Sequence, residues 1–241
     1  MNIHLSVVIP SYNEEKRIPK TLADIDKYLS KQSYSYEIIV VSDGSKDGTA
    51  KVVKGLMPKV KNLRLIDNKK NHGKGYVTRQ GLLEAKGDYR LFTDADNSTS
   101  IDQVEKMWPW FEKGFNIVIG SREVKGAVLS PPQPWMRRQT GAAFRLLTNI
   151  FTGLWSIRDT QCGFKGFSRK AAEDVLPRCK IDRFSFDAEI LVLAKKLGYK
   201  TKEIPVTWKN DLESKVSFKS MAKMGFDLVK IRMNLIKKDY D

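Results

Sequence analysis

Tyr89-Arg90-Leu91-Phe92-Thr93-Asp94-Ala95-Asp96 decides how this chain is read. Its first five residues form a short strand-like run, and the run ends directly on two carboxylates flanking one small residue. Upstream, Leu5-Ser6-Val7-Val8-Ile9-Pro10, Tyr36-Glu37-Ile38-Ile39-Val40-Val41 and Leu63-Arg64-Leu65-Ile66 read as buried strands. Helical spacing lies between them. Glu14 to Leu29 carries Ile18, Leu22, Ile25 and Leu29 on one face, with Pro19 near its start, where a missing N–H is tolerated. Ala50 to Met57 and a segment reaching Glu84 are the next helices. Strands alternating with helices at this spacing predict an α/β fold of right-handed βαβ units, with a mostly parallel sheet covered on both faces.

In open α/β sheets, ligands bind outside the carboxyl ends of the strands. Three polar segments fall there: Ser11–Glu15, Ser42–Thr49 and Asp94–Ser98. They are expected to converge in space. Asp94 and Asp96 then face one crevice, where two carboxylates suit Mg²⁺ or Mn²⁺, hard cations that keep water and take further oxygens from a diphosphate. Such a metal neutralises charge on a departing nucleotide diphosphate. Asp43 is placed to accept a hydrogen bond from uracil or guanine, or else to cap a turn. Asp47, just before a helix, is expected to cap it. Lys74, between two glycines, can reach a phosphate.

The bulk composition narrows the partners. Lys and Arg number 43 against 28 Asp and Glu, a formal net charge of +15, which calls for nucleic acid, a phospholipid surface or a phosphorylated substrate as counterpart. Cys162 and Cys179 form no CxxC pair, which fits structural thiols in a reducing compartment. There is no apolar run long enough to span a bilayer, and the start of the chain lacks the features of a signal peptide.

The second half reads differently. Ile117 to Arg122 is another strand, and Ser130-Pro131-Pro132-Gln133-Pro134 is a turn. Trp135 to Trp155 mixes aromatics and leucines with Arg137, Arg138 and Arg145. A helix is expected over residues 184–198, carrying Asp187 and Glu189, and a late strand from Thr201 to Trp208. Lys215 to Lys238 reads as a basic amphipathic helix or pair of helices with Met221, Met224, Leu228, Ile231 and Leu235 along one stripe. The expected organisation is a main domain over 1–211, with a first half at 1–125 and a second at 126–211, and a helical extension over 212–241.

Taken in order, Val7-Val8-Ile9-Pro10-Ser11-Tyr12-Asn13-Glu14-Glu15, Asp43-Gly44-Ser45-Lys46-Asp47-Gly48-Thr49, Gly73-Lys74-Gly75 and Asp94-Ala95-Asp96 resemble family-2 glycosyltransferases of GT-A fold, with a Rossmann-like central sheet. Gly120-Ser121-Arg122, the Arg137-Arg138 pair, Arg158 to Lys165 and Phe186-Asp187-Ala188-Glu189 are similar to polyprenyl-phosphate glycosyltransferases. Ile157–Lys165 and the Ser214-Lys215 element look closest to the dolichyl-phosphate β-glucosyltransferases, with the mannosyltransferases next. Asn97-Ser98-Thr99 departs from the mannosyltransferase pattern, which carries a glutamine or histidine nearby.

The resemblance implies a nucleotide-sugar donor pocket lined by Pro10, Tyr12, Glu14 and Asp43, with Lys74, Asp94, Ala95, Asp96 and Lys215 around the diphospho-sugar. It implies a clamp on the acceptor phosphate from Arg122 and one or both of Arg137 and Arg138. The expected reaction is inverting transfer of glucose from UDP-glucose to a dolichyl or polyprenyl phosphate. Mannose from GDP-mannose and a sugar-hydroxyl acceptor stay open as alternatives. Asp187 is either the general base of a hydroxyl acceptor or, where the acceptor is already anionic, an orienting group paired with Arg183 or a pocket arginine. Such an enzyme is expected to be cytoplasmic and peripheral on the cytoplasmic face of an anionic membrane, with Trp135, Phe144, Phe151 and Trp155 adding aromatic anchoring.

Two other classes fit less well. Acidic strand ends repel a nucleic acid, and a nucleotidyltransferase would carry a glycine-rich loop where Ser11 to Glu15 stands.

Overall fold

A computed structural model describes residues 3–131, 135–209 and 218–240, with side chains described except over 135–138 and 218–222. The first half follows the alternating pattern. It runs β1 (Leu5–Ser11), α1 (Ile18–Leu29), β2 (Tyr36–Asp43), α2 (Thr49–Leu56), β3 (Leu63–Asn68), α3 (Lys74–Glu84) and β4 (Tyr89–Thr93). After a short 3-10 helix come α4 (Trp108–Glu112), β5 (Ile117–Ser121), β6 (Val128–Ser130) and α5 (Trp135–Thr152). The chain continues through β7 (Phe164–Ser168), α6 (Arg169–Val175), α7 (Phe186–Lys196), β8 (Thr201–Pro205), β9 (Thr207–Lys209) and α8 (Phe218–Lys237).

Among the described residues, seven strands form the main sheet in the order β3-β2-β1-β4-β7-β5-β8. The pairs among β3, β2, β1 and β4 are parallel, as is β5 with β8. β7 is the exception, lying antiparallel between β4 and β5. Sequence reading missed this strand. It also missed that Thr201 to Trp208 is two strands: Pro205, which has no N–H to give, closes the first, and Thr207–Lys209 pairs with β6 in a separate small sheet.

β1 and β2 are buried along their whole length, as a parallel sheet covered on both faces requires. Val8, Ile39 and Val41 face one apolar layer and Val7, Ile9, Ile38 and Val40 the other. Ile18, Leu22, Ile25 and Leu29 of α1 fill the second layer, as their spacing predicts.

The C-terminal helix is tied to the domain. Leu228 and Ile231 are fully buried, α8 lies against α5, Ser185 donates to the Met224 carbonyl, and Tyr240 donates to Glu189. The stripe expected to face a membrane therefore packs inward through Met224, Leu228, Ile231 and Leu235, while Met221 lies outside the described side chains. Phe144 and Phe151 likewise lean on the core. A different face points outward. α8 exposes Phe226, Val229, Met233 and Ile236, α5 exposes Leu146, Leu147 and Ile150, and Trp155 follows at 64 % exposure. No helix among the described residues is long and apolar enough to cross a membrane.

Candidate active site

The loops after β1, β2 and β4 converge, and the sequence of hydrogen bonds that joins them can be traced. Asn13 Oδ1 accepts from Lys46 N at 2.8 Å, Glu15 Oε2 accepts from Gly48 N at 2.7 Å, and Thr49 Oγ1 accepts from Glu14 N at 2.8 Å. These contacts fasten the first loop to the second. Asp47 accepts from Thr49 N at 3.0 Å, the capping role its position predicts.

Asp43, at the end of β2, ties the second loop to the turn after β3. Its Oδ1 accepts from His72 N at 2.7 Å, and its Oδ2 from Asn71 Nδ2 at 2.8 Å and Gly73 N at 2.9 Å. A carboxylate has about four acceptor sites, so one is left for a base N–H on a side chain that is almost wholly buried. Burial also raises the Asp43 carboxyl above its ordinary value. Its main work is to shape the 71–73 turn. There Gly73 has φ +111°, and a Cβ would meet the Asp182 carbonyl at 2.3 Å, so only glycine fits.

That turn launches α3 with Lys74 as its first residue, and Lys74 Nζ lies 2.6 Å from Asp94 Oδ1. Although burial acts to lower it, the carboxylates of Asp94 and Asp187 hold the Lys74 ammonium above its ordinary value. Asp94 is fixed from behind as well. Its N–H donates to the Gly163 carbonyl at 3.1 Å, and a Cβ on Gly163 would stand 1.9 Å from Asp94 Oδ2. The Ala95 carbonyl accepts from Thr21 at 2.7 Å, and Asp96 Oδ1 accepts from Ser98 N at 2.9 Å. Burial, and then the neighbouring Asp94 charge, raises the Asp96 carboxyl.

Among the described residues no group of three or more His, Cys, Asp or Glu is placed to hold a metal. What the crevice offers is two carboxylates, without nitrogen or sulfur. That donor set suits a hard divalent cation completing its shell with water and phosphate oxygens.

Three expected site residues have partners that the sequence did not show. Each Glu14 oxygen accepts from Arg17, at 2.6 and 2.7 Å, which ties Glu14 to the start of α1. Arg122 turns its fork on Asp159, with Nε at 2.7 Å and Nη2 at 2.8 Å, and lies over the Trp208 ring. Asp159 occupies the Nε–Nη2 edge of the guanidinium, and three of its five N–H donors remain for another acceptor. Against the pull of burial, Arg122 holds Asp159 below the usual carboxylate range.

Asp187 is the third. Its partner is Lys165 on β7, and among the described residues no arginine is bonded to it. Lys165 has no exposed surface; its Nζ donates to Asp187 Oδ1 and to the Cys162 carbonyl, both at 2.5 Å. Burial raises the Asp187 carboxyl, and Lys165 opposes that rise. Oδ1 of Asp187 is thus committed to a buried ammonium, and the crevice residues Lys74 and Asp94 also act on this carboxylate. Pro10 is buried in β1 and Tyr12 half-buried just beyond it. The Arg137 and Arg138 side chains and the whole of Lys215 lie outside the described residues.

Sequence reasoning quoted the Arg158–Lys165 stretch but gave Asp159, Gly163 and Lys165 no roles. The signal was a lysine and a glycine flanked by Cys162 and two phenylalanines, in a segment whose alternation is too short to read as a strand.

Comparison with known proteins agrees with this geometry. The family model described as "Glycosyl transferase family 2" matches residues 6–176. A dolichyl-phosphate beta-glucosyltransferase of Dictyostelium discoideum is 38 % identical over 248 residues, covering 98 % of this chain and 76 % of the relative. Its Homo sapiens counterpart is 38 % identical over 250 residues, covering 96 % and 76 %. Among solved structures, mannosyl-3-phosphoglycerate synthase from Rubrobacter xylanophilus superposes with a TM-score of 0.72 at 18 % identity, covering 98 % of this chain and 75 % of that one. Glucosyl-3-phosphoglycerate synthase from Mycobacterium tuberculosis, in complex with Mn²⁺, UDP and glucosyl-3-phosphoglycerate, gives 0.71 at 17 %, covering 96 % and 79 %.

The Lys165–Asp187 pair sets a stability test. Lys165→Met should cost about 3–5 kcal/mol, because it leaves Asp187 buried and uncompensated. The double variant Lys165→Met/Asp187→Leu should recover most of that loss in urea unfolding. A loss in the double variant equal to the sum of the two single losses would show the pair is not coupled.

Proposed function

The chain belongs to glycosyl transferase family 2, and from that premise we propose that it moves glucose from UDP-glucose to a dolichyl or polyprenyl phosphate with inversion. The observation that carries the acceptor class is the pairing of Asp187 with the buried Lys165. A phosphate oxygen is already anionic near neutral pH and needs no base, whereas a sugar hydroxyl does. The names of the relatives, dolichyl-phosphate beta-glucosyltransferases, support both the sugar and the lipid.

In this reading Pro10, Tyr12 and the last acceptor site of Asp43 receive the nucleotide. The Asp43-shaped turn and the start of α3 bring Lys74 to the diphosphate, where an ammonium and a helix N-terminus both favour anions. Asp94 and Asp96 hold a divalent cation, Mg²⁺ or Mn²⁺, which when bound neutralises charge on the departing diphosphate. The acceptor phosphate oxygen attacks the anomeric carbon as the bond from that carbon to the diphosphate oxygen breaks. The products are a β-linked lipid-phosphate glucose and UDP. The remaining donors of Arg122, oriented by Asp159, and one or both of Arg137 and Arg138 receive the acceptor phosphate, and Lys215 is assigned to the donor phosphates.

A lipid acceptor brings the enzyme to a bilayer. The outward apolar residues of α5 and α8 support an anionic lipid surface as the occupant of that face, because Lys223, Lys230, Arg232, Lys237 and Lys238 are exposed on the same helix or just past it. Apolar side chains entering the headgroup layer and lysines meeting anionic lipids are the two contributions such binding needs.

Two measurements follow. With polyprenyl phosphate, a divalent cation and a panel of radiolabelled UDP-glucose, GDP-mannose and UDP-GlcNAc, label should enter the organic phase from UDP-glucose; entry from GDP-mannose alone refutes the sugar. The full chain should float with anionic liposomes at low salt and less at high salt, and Phe226→Asp/Ile236→Asp should abolish flotation. A wild-type chain that never floats would exclude the bilayer.

A further inference from the structure

Lys74 stands where a metal ion would need to be. Its ammonium is bonded to Asp94 Oδ1 at 2.6 Å, and Asp94 is one of the two carboxylates in the crevice. The backbone beneath it has no room to retreat. A Cβ on Gly75 would meet the Ile181 carbonyl at 2.6 Å, and Tyr76 N donates to the Asp182 carbonyl at 3.1 Å, so the first turn of α3 is seated against residues 181–183. Only the Lys74 side chain can swing.

The charges around it are nearly balanced. Two ammonium groups, Lys74 and Lys165, face three carboxylates, Asp94, Asp96 and Asp187. A divalent cation arriving alone overturns that balance and must compete with an ammonium for Asp94. A cation arriving with a diphosphate does not, since the phosphate oxygens restore the negative charge and give Lys74 another acceptor to turn to.

We propose that Lys74 is a built-in competitor at the Asp94–Asp96 site, making metal binding depend on the nucleotide diphosphate. Without a nucleotide, Lys74 holds Asp94 and the metal binds weakly. With one, Lys74 moves onto the diphosphate, Asp94 Oδ1 is released, and metal and donor are taken up together. The inference rests on reading Asp94 and Asp96 as the metal ligands.

The test is Mn²⁺ affinity of the full chain, read from the electron paramagnetic resonance signal of free Mn²⁺, with and without UDP. Wild type should bind Mn²⁺ about 10-fold more tightly with UDP. Lys74→Met should bind it about 10-fold more tightly than wild type when UDP is absent, the scale of one removed charge at a partly exposed site, and should lose most of the UDP dependence. Affinity in Lys74→Met equal to or weaker than wild type without UDP, with an unchanged circular dichroism spectrum, would overturn the competitor role. Asp96→Asn separates the two readings: if it leaves Mn²⁺ affinity with UDP unchanged, the metal-ligand assignment fails and the competitor role with it.

Discussion

An ammonium with no exposed surface must be neutralised where it sits, and Lys165 is neutralised by Asp187. Much of the site depends on that pair. Lys165 stands on β7, the one antiparallel strand of the main sheet, next to Phe92 of β4 and Ile119 of β5. Its second bond, to the Cys162 carbonyl, fixes the turn that presses Gly163 against Asp94. Asp159, a few residues earlier, fixes Arg122. The segment from Asp159 to Lys165 is thus a back wall for the crevice, anchored at both ends by buried ion pairs. Breaking either pair strands a charge in a place with little water to screen it.

The same wall limits the chemistry. A base needs a carboxylate that faces the incoming group and can accept its proton. Asp187 instead faces a lysine inside the protein. The crevice in front offers an anion Lys74 and the start of α3, on a chain with a formal net charge of +15. An acceptor that carries its own negative charge fits such a site without help from a base.

The parallel half of the fold was legible because each of its strands is a short, mostly apolar run closed by Pro10, Ser42-Asp43, Asp67 or Asp94, and α1 keeps one clean stripe. The convergence of three loops followed from topology alone; Asn13 and Glu15 accept bonds that join the first two, and Asp43 reaches the third through the 71–73 turn and the Lys74–Asp94 pair. β7 was not legible. Phe164-Lys165-Gly166-Phe167-Ser168 holds a lysine where a core strand should be apolar, and its burial makes sense only beside Asp187, which lies 22 residues later in the chain. The partners of Glu14 and Arg122 were not legible for a similar reason. Arg17 and Asp159 show themselves as partners only once the chain is folded. On α8 the sequence carries two apolar stripes; the one with regular spacing is the one the core uses, which leaves Phe226 and Ile236 outside.

The pH dependence of transfer tests most directly whether the acceptor brings its own charge. If Asp187 takes no proton, kcat/KM should fall on the acid side only as the acceptor phosphate protonates, at about pH 6. That limb should move with the acceptor when a phosphonate of higher pKa replaces the phosphate. An acid limb that stays fixed when the acceptor's pKa changes would place the titrating group on the enzyme and contradict the account.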